Sequence, residues 1–152
     1  MLISSVSKVP PVLAALVSLL FSMSVQAERM RDLGDYEVHY NTLNTRFLSP
    51  EVASQYGIIR SGHRAMLNVS VLKKTGPRQR QAVTARVSAR STNLAGQGAD
   101  IPLREIREGN AIYYIGEFHI QDAQTLNFTV RVLPEGQKVE HTIHFRQQFY
   151  VE

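Results

Sequence analysis

The chain has 152 residues, with 17 Lys and Arg against 13 Asp and Glu, and no cysteine. The missing cysteines exclude a disulfide framework, a thiolate metal site and a cysteine-borne lipid anchor. The formal net charge of +4 is spread unevenly: residues 28–51 carry three bases and five acids, 52–99 eight bases and no acid, and 100–152 five bases and eight acids.

The N-terminus reads as an export signal. Met1 to Lys8 is a short basic segment, and Val12 to Val25 (VLAALVSLLFSMSV) is an apolar run of 14 residues. Val25-Gln26-Ala27 then places small residues at −3 and −1 of a cleavage site. A membrane-spanning helix needs about 20 apolar residues, so the run predicts a cleaved signal over 1–27 and no integral membrane protein after cleavage. Residues 28–152 remain as one domain. A chain of that size buries about two thirds of its unfolded surface and holds a core without metals or bridges.

The rest reads as β-structure. In "DYEVHYN", Tyr36, Val38 and Tyr40 alternate with Glu37 and His39, the period of a half-buried strand. "FLSPEVASQYGI" interrupts it. Ser49 suits an N-cap, Pro50 the first helical position, Glu51 the positive end of the helix dipole and Gly57 the residue past the C-cap. A short helix is predicted over 50–56.

Arg64 to Lys74 alternates Ala65, Leu67, Val69 and Val71 against Met66, Asn68 and Ser70. "TGPRQ" turns the chain into Gln81 to Leu94, with Val83, Ala85, Val87 and Ala89 on one face and Thr84, Arg86, Ser88 and Arg90 on the other. Ala99 to Arg107 and Ala111 to Ile120 form a hairpin around "EGN". Leu126, Phe128, Val130 and Val132 mark the next strand, and "PEGQ" leads to the last, with Val139, Ile143, Phe145 and Phe149 on one side. Gly and Asn accept positive φ at low cost, which suits these turns. About seven strands with one short helix and no βαβ pattern predict an all-β fold, a single antiparallel immunoglobulin-like β-sandwich. A small closed barrel is the alternative.

The order "GDYEVHYN…FLSPEVASQYGI…RS…LNVSVL" resembles a family of small exported Gram-negative bacterial proteins called domain of unknown function 4426. The likeness runs from about Gly34 to Tyr150. These are structural words rather than a catalytic motif. The resemblance implies a periplasmic location and one sandwich-like domain, and it carries no catalytic residue to transfer.

Three chemistries are open to these residues. Lys73, Lys74, Arg78 and Arg80 crowd a predicted hairpin tip, and Arg86 and Arg90 share one strand face. Such a surface steers acidic partners, either a protein or an envelope component. The plainer account is that these charges keep turns and edges from pairing with other chains. Nucleic acid is not expected, because the chain is read as exported and no aromatic alternates with the bases.

The second chemistry is metal binding through His39, His63, His119 and His141. In "HTIHF" the H-x-x-H spacing falls on a strand, so His141 and His144 face opposite ways and cannot share a metal without a bulge. Catalysis is the third. No G-x-S-x-G, no H-E-x-x-H and no phosphate-binding glycine loop occurs, so neither an enzyme nor a cofactor is expected. Tyr113 and Tyr150 are opposite in parity to Tyr114 and Phe149, so one of each pair faces away from the core. The sequons Asn68-Val69-Ser70 and Asn127-Phe128-Thr129 fall inside strands and read as coincidence.

Overall fold

A computed structural model of the chain describes residues 28–151. The predicted signal segment lies outside them. In chain order the strands are β1 (Arg29–Asp32), β2 (Tyr36–Asn44), β3 (Arg64–Gly76), β4 (Gln79–Ala82), β5 (Ala85–Asn93), β6 (Gly98–Ile101), β7 (Arg104–Glu108), β8 (Ala111–His119), β9 (Gln124–Pro134) and β10 (His141–Phe149). Among the described residues one α-helix, α1 (Pro50–Gln55), follows a 3-10 turn at Thr45–Phe47.

Two antiparallel sheets face a shared interior. The first runs β1-β2-β3-β8-β7, with β4 also paired to β3, and the second runs β10-β9-β5-β6. The sheets stay separate, so the chain is an all-β sandwich and not a closed barrel. Val38, Leu67, Val69 and Val71 from the first sheet meet Phe128, Val130, Val132 and Ile143 from the second, all essentially inaccessible to solvent. Alternation put these residues on one face of each strand, and burial of that face holds the layers together.

Ten strands appear among the described residues, against about seven expected. Two expected strands are each cut in two where the chain passes between sheets. The first crossing is at Val83–Thr84, between β4 in one sheet and β5 in the other. Val83 N still donates to Val71 O at 3.0 Å in the first sheet, while Thr84 O accepts from Glu135 N at 2.9 Å as an extension of the β5–β9 pairing in the second. The second crossing is at Pro102–Leu103, between β6 and β7. Pro102 has no N–H to give a ladder. This crossing is seated on Gly116: a Cβ there would lie 2.6 Å from both Ile101 Cγ2 and Pro102 O. β1 is an edge strand that the sequence reading did not assign.

The helix forms as predicted. Ser49 Oγ accepts from Val52 N at 3.2 Å, Pro50 opens the helix, and Gly57 has φ +64°. It covers the outer face of the first sheet, where Ala53 and Ile58 pack on Met66 and Ile115. Tyr113 joins this cluster and is half-buried, whereas Tyr114 turns into the core and its hydroxyl accepts from Ala85 N at 2.9 Å. Tyr150 is exposed and Phe149 buried. Thr45 Oγ1 donates to Ile59 O at 2.8 Å and accepts from Ser61 N at 3.0 Å, which ties down the connection to β3.

A candidate anion-binding face on the second sheet

The six basic residues singled out in the sequence fall on two different surfaces. Lys73 and Lys74 in β3, Arg78 in the turn and Arg80 in β4 belong to the first sheet. Arg86 and Arg90 lie on β5 in the second sheet, so they do not extend the hairpin into one patch. The crossing at Val83–Thr84 separates them.

On the first sheet, two of the four charges are engaged by acids. Lys74 Nζ donates to both carboxylate oxygens of Asp32 at 2.8 Å, and Arg80 donates to Glu37 Oε1 at 2.7 Å. The other Glu37 oxygen lies 3.3 Å from His39 Nε2, and His39 Nδ1 is 3.1 Å from Glu28 Oε1. The Arg80 guanidinium holds the Glu37 carboxyl down, from an ordinary 4.5 to about 2, against the opposing effect of its partial burial; His39 adds to the lowering. Lys74 likewise lowers Asp32. Lys73 and Arg78 remain exposed.

Glu37 makes stability depend on pH. Its folded value lies below its unfolded one, so its stabilisation is complete above about pH 4.5 and is lost as pH falls toward 2. The melting temperature of Glu37→Gln should therefore fall less than that of the parent protein between those limits. Parallel curves over that interval would exclude Glu37 as a contributor to acid unfolding.

The histidines do not assemble. His39 lies mid-β2, His63 in the loop before β3, His119 at the end of β8 opposite Arg64, and His141 at the start of β10 opposite Val132. The two carboxylates near His39 take opposite ring nitrogens and so do not converge on one point. Among the described residues no group of three or more His, Asp or Glu is placed to hold a metal ion.

The outer face of the second sheet is different. The register pairs Arg86 with Leu133, Ser88 with Arg131, Arg90 with Thr129 and Thr92 with Asn127 across β5 and β9. Across β9 and β10 it pairs Arg131 with Thr142, Thr129 with His144 and Asn127 with Arg146. Residues opposite one another share a face, so these positions form one surface. Arg131 sits diagonal to both Arg86 and Arg90, with Cα separations of about 7–8 Å. Arg86, Arg90, Arg131, His144 and Arg146 are exposed. Asp100, 2.9 Å from Arg90, is the one acid among the strand positions of this face. Arg146 Nε donates to Asn127 Oδ1 at 2.8 Å, a neutral partner.

Beside these arginines lies an open groove of about 610 Å³. It forms where β6 ends and the chain leaves for the first sheet. Ile101 and Leu103 give it apolar walls, and Arg90 and Arg131 stand at its rim. Sequence reasoning missed Arg131 and Arg146 because they belong to the net acidic C-terminal third. The polar parity of Asn127, Thr129 and Arg131, and of Thr142, His144 and Arg146, was the signal that marked them as outward.

The family described as Domain of unknown function (DUF4426) matches residues 30–152. A DUF4426 family protein from Pseudomonas aeruginosa PAO1 has a crystal structure that is 32% identical, covering 85% of this chain and 99% of that one, with a TM-score of 0.72. FetP from uropathogenic Escherichia coli strain F11, recombinantly expressed in the periplasm, is 8% identical over 82% of this chain and 94% of its own, with a TM-score of 0.58. A copper-bound variant of the same FetP is 8% identical over 81% and 95%, with a TM-score of 0.57. At that identity the FetP likeness concerns the fold alone. No curated protein matches. Among the described residues no helix is long and apolar enough to cross a membrane. With a family match from Met30 to the last residue and a relative of one-third identity over nearly its whole length, the chain belongs to the DUF4426 family.

Proposed function

We propose that this protein is an exported, non-catalytic binding module that captures an acidic protein or envelope component on the outer face of the second sheet. The carrying observation is the gathering of Arg86, Arg90, Arg131 and Arg146 on one surface, with Asp100 the one acid among its strand positions. Guanidinium groups present fixed forks of donors that match carboxylate and phosphate oxygens. Ser88, Thr129 and Thr142 set neutral hydroxyls between them. The groove beside Arg90 adds apolar walls where a partner side chain can anchor. Export, for which the 1–27 segment is the support, places this face where envelope components meet it.

The hairpin of the first sheet contributes less, because Lys74 and Arg80 already hold Asp32 and Glu37. Addition of poly-glutamate to isotopically labelled protein should therefore move the amide resonances of Arg86, Arg90, Arg131 and Arg146, and move them less as salt rises. Shifts centred on Lys73 to Arg80 instead would transfer the site to the hairpin.

A further inference from the structure

We infer that β10 is a docking edge, to which an acidic partner segment adds as an extended strand. This rests on the binding face proposed above and assigns how the partner meets it.

The phase of the backbone ladder fixes which groups of β10 have no strand partner. Ala85 N donates to the Tyr114 hydroxyl and Asn93 N to Gln97 O, so odd-numbered residues of β5 turn away from β9. Even-numbered residues of β5 then bond to β9, and with the observed register Val130, Phe128 and Leu126 bond to Ile143, Phe145 and Gln147 of β10. Thr142, His144, Arg146 and Gln148 therefore point their N–H and C=O groups away from β9. The side chains agree: Arg29 reaches Arg146 O at 3.4 Å, and Gln147 Nε2 donates to Gln148 O at 2.9 Å, both on that free flank. Among the described residues no strand pairs there. An unpaired edge of this length is a template for another strand unless it is guarded.

Charge selects the occupant. An added strand places alternate side chains on the basic outer face, beside His144 and Arg146 and two strand spacings, about 10 Å, from Arg131. Its other side chains turn toward the open side of the sandwich. There Arg29 lies 5.0 Å from the Phe145 ring centre and donates to Gln147 Oε1 at 2.8 Å, with no carboxylate partner among the described residues. Cations thus wait on both faces of the incoming strand. The sequence of β10, HTIHFRQQF, contains no acid. Two copies of β10 pairing with each other would bring only cations and neutral groups together, so the charge disfavours self-association and favours an acidic chain.

The probe is a synthetic peptide of alternating Glu and Val, matched in length to β10, with a second peptide of the same composition carrying D-residues at alternate positions. Amide hydrogen exchange of the full protein is followed with each. The L-peptide should slow exchange at Thr142, His144, Arg146 and Gln148, and the D-substituted one should not. Gln148→Pro, at a position not assigned to the basic face, removes an outward-pointing edge donor without breaking a ladder bond, which edge strands tolerate. It should weaken the L-peptide about tenfold while leaving poly-glutamate binding unchanged. Protection at none of the four amides in peptide-saturated protein overturns the docking edge. If poly-glutamate still binds in that case, the basic face survives and only the strand addition is lost. If neither probe binds, the face itself is wrong and the edge falls with it.

Discussion

Phe128→Ala should cost the fold at least about 4 kcal/mol, close to the whole stability of a small domain. Phe128 is 1% exposed and sits on β9, at the centre of an aromatic cluster drawn from both sheets. Its ring stacks on Phe145 of β10 with centroids 4.7 Å apart and planes 10° apart. Phe118 of β8 meets it edge-on at 5.3 Å, and Phe149 does so at 6.1 Å. Tyr40 of β2 continues the contact through Phe145 at 4.8 Å. Truncation loses the transfer energy of the ring, about 3–5 kcal/mol with the cavity, and about 0.5–1.5 kcal/mol for each favourable aromatic pair. With no cysteine in the chain, no disulfide holds the sheets against that loss. Urea denaturation measures the loss, and Phe128→Leu should cost well under half as much. An alanine variant within about 1 kcal/mol of the parent would mean that the two layers do not depend on this cluster.

The helix was legible because its stop and start signals are local. Ser49, Pro50, Glu51 and Gly57 each act within a turn of their own position, and each performs the expected task. The inward faces of the long strands were legible for a similar reason, since period two depends only on neighbours. Sheet membership was not. Val83, Ala85, Val87 and Ala89 keep strict alternation while the chain passes from one sheet to the other, because both sheets turn their apolar faces to the same interior. A crossing therefore leaves no mark in the hydrophobic pattern, and β4 with β5 reads as one strand.

The same blindness shaped the reading of charge. The acid-free block of residues 52–99 suggested a single basic surface, yet its hairpin part folds against Asp32 and Glu37 of the flanking acidic segment. Conversely, Arg131 and Arg146 sit in a block with net negative charge, and strand pairing delivers them to Arg86 and Arg90. Among the acids of that block, Glu105 and Glu108 are carried off on β7 in the first sheet. Charge along a sequence becomes charge on a surface only after strand order is known.

The double substitution Arg86→Glu with Arg131→Glu tests the face formed by β5, β9 and β10 directly. Both residues are exposed and neither forms an ion pair among the described residues, so the fold should melt as the parent does. Electrostatically the change is large: two cations diagonal to one another become two anions, beside Asp100. Binding of poly-glutamate at low salt should fall by more than about tenfold, and the residual binding should depend less steeply on salt. Lys73→Glu with Arg78→Glu, an equal charge change on the hairpin, should leave affinity within about twofold at moderate ionic strength, where the two surfaces are screened from each other. Isothermal titration of the three proteins with the same polymer is the measurement. Loss confined to the Arg86 and Arg131 pair is the predicted result. Undiminished binding by that pair, with loss on the hairpin instead, would contradict the account.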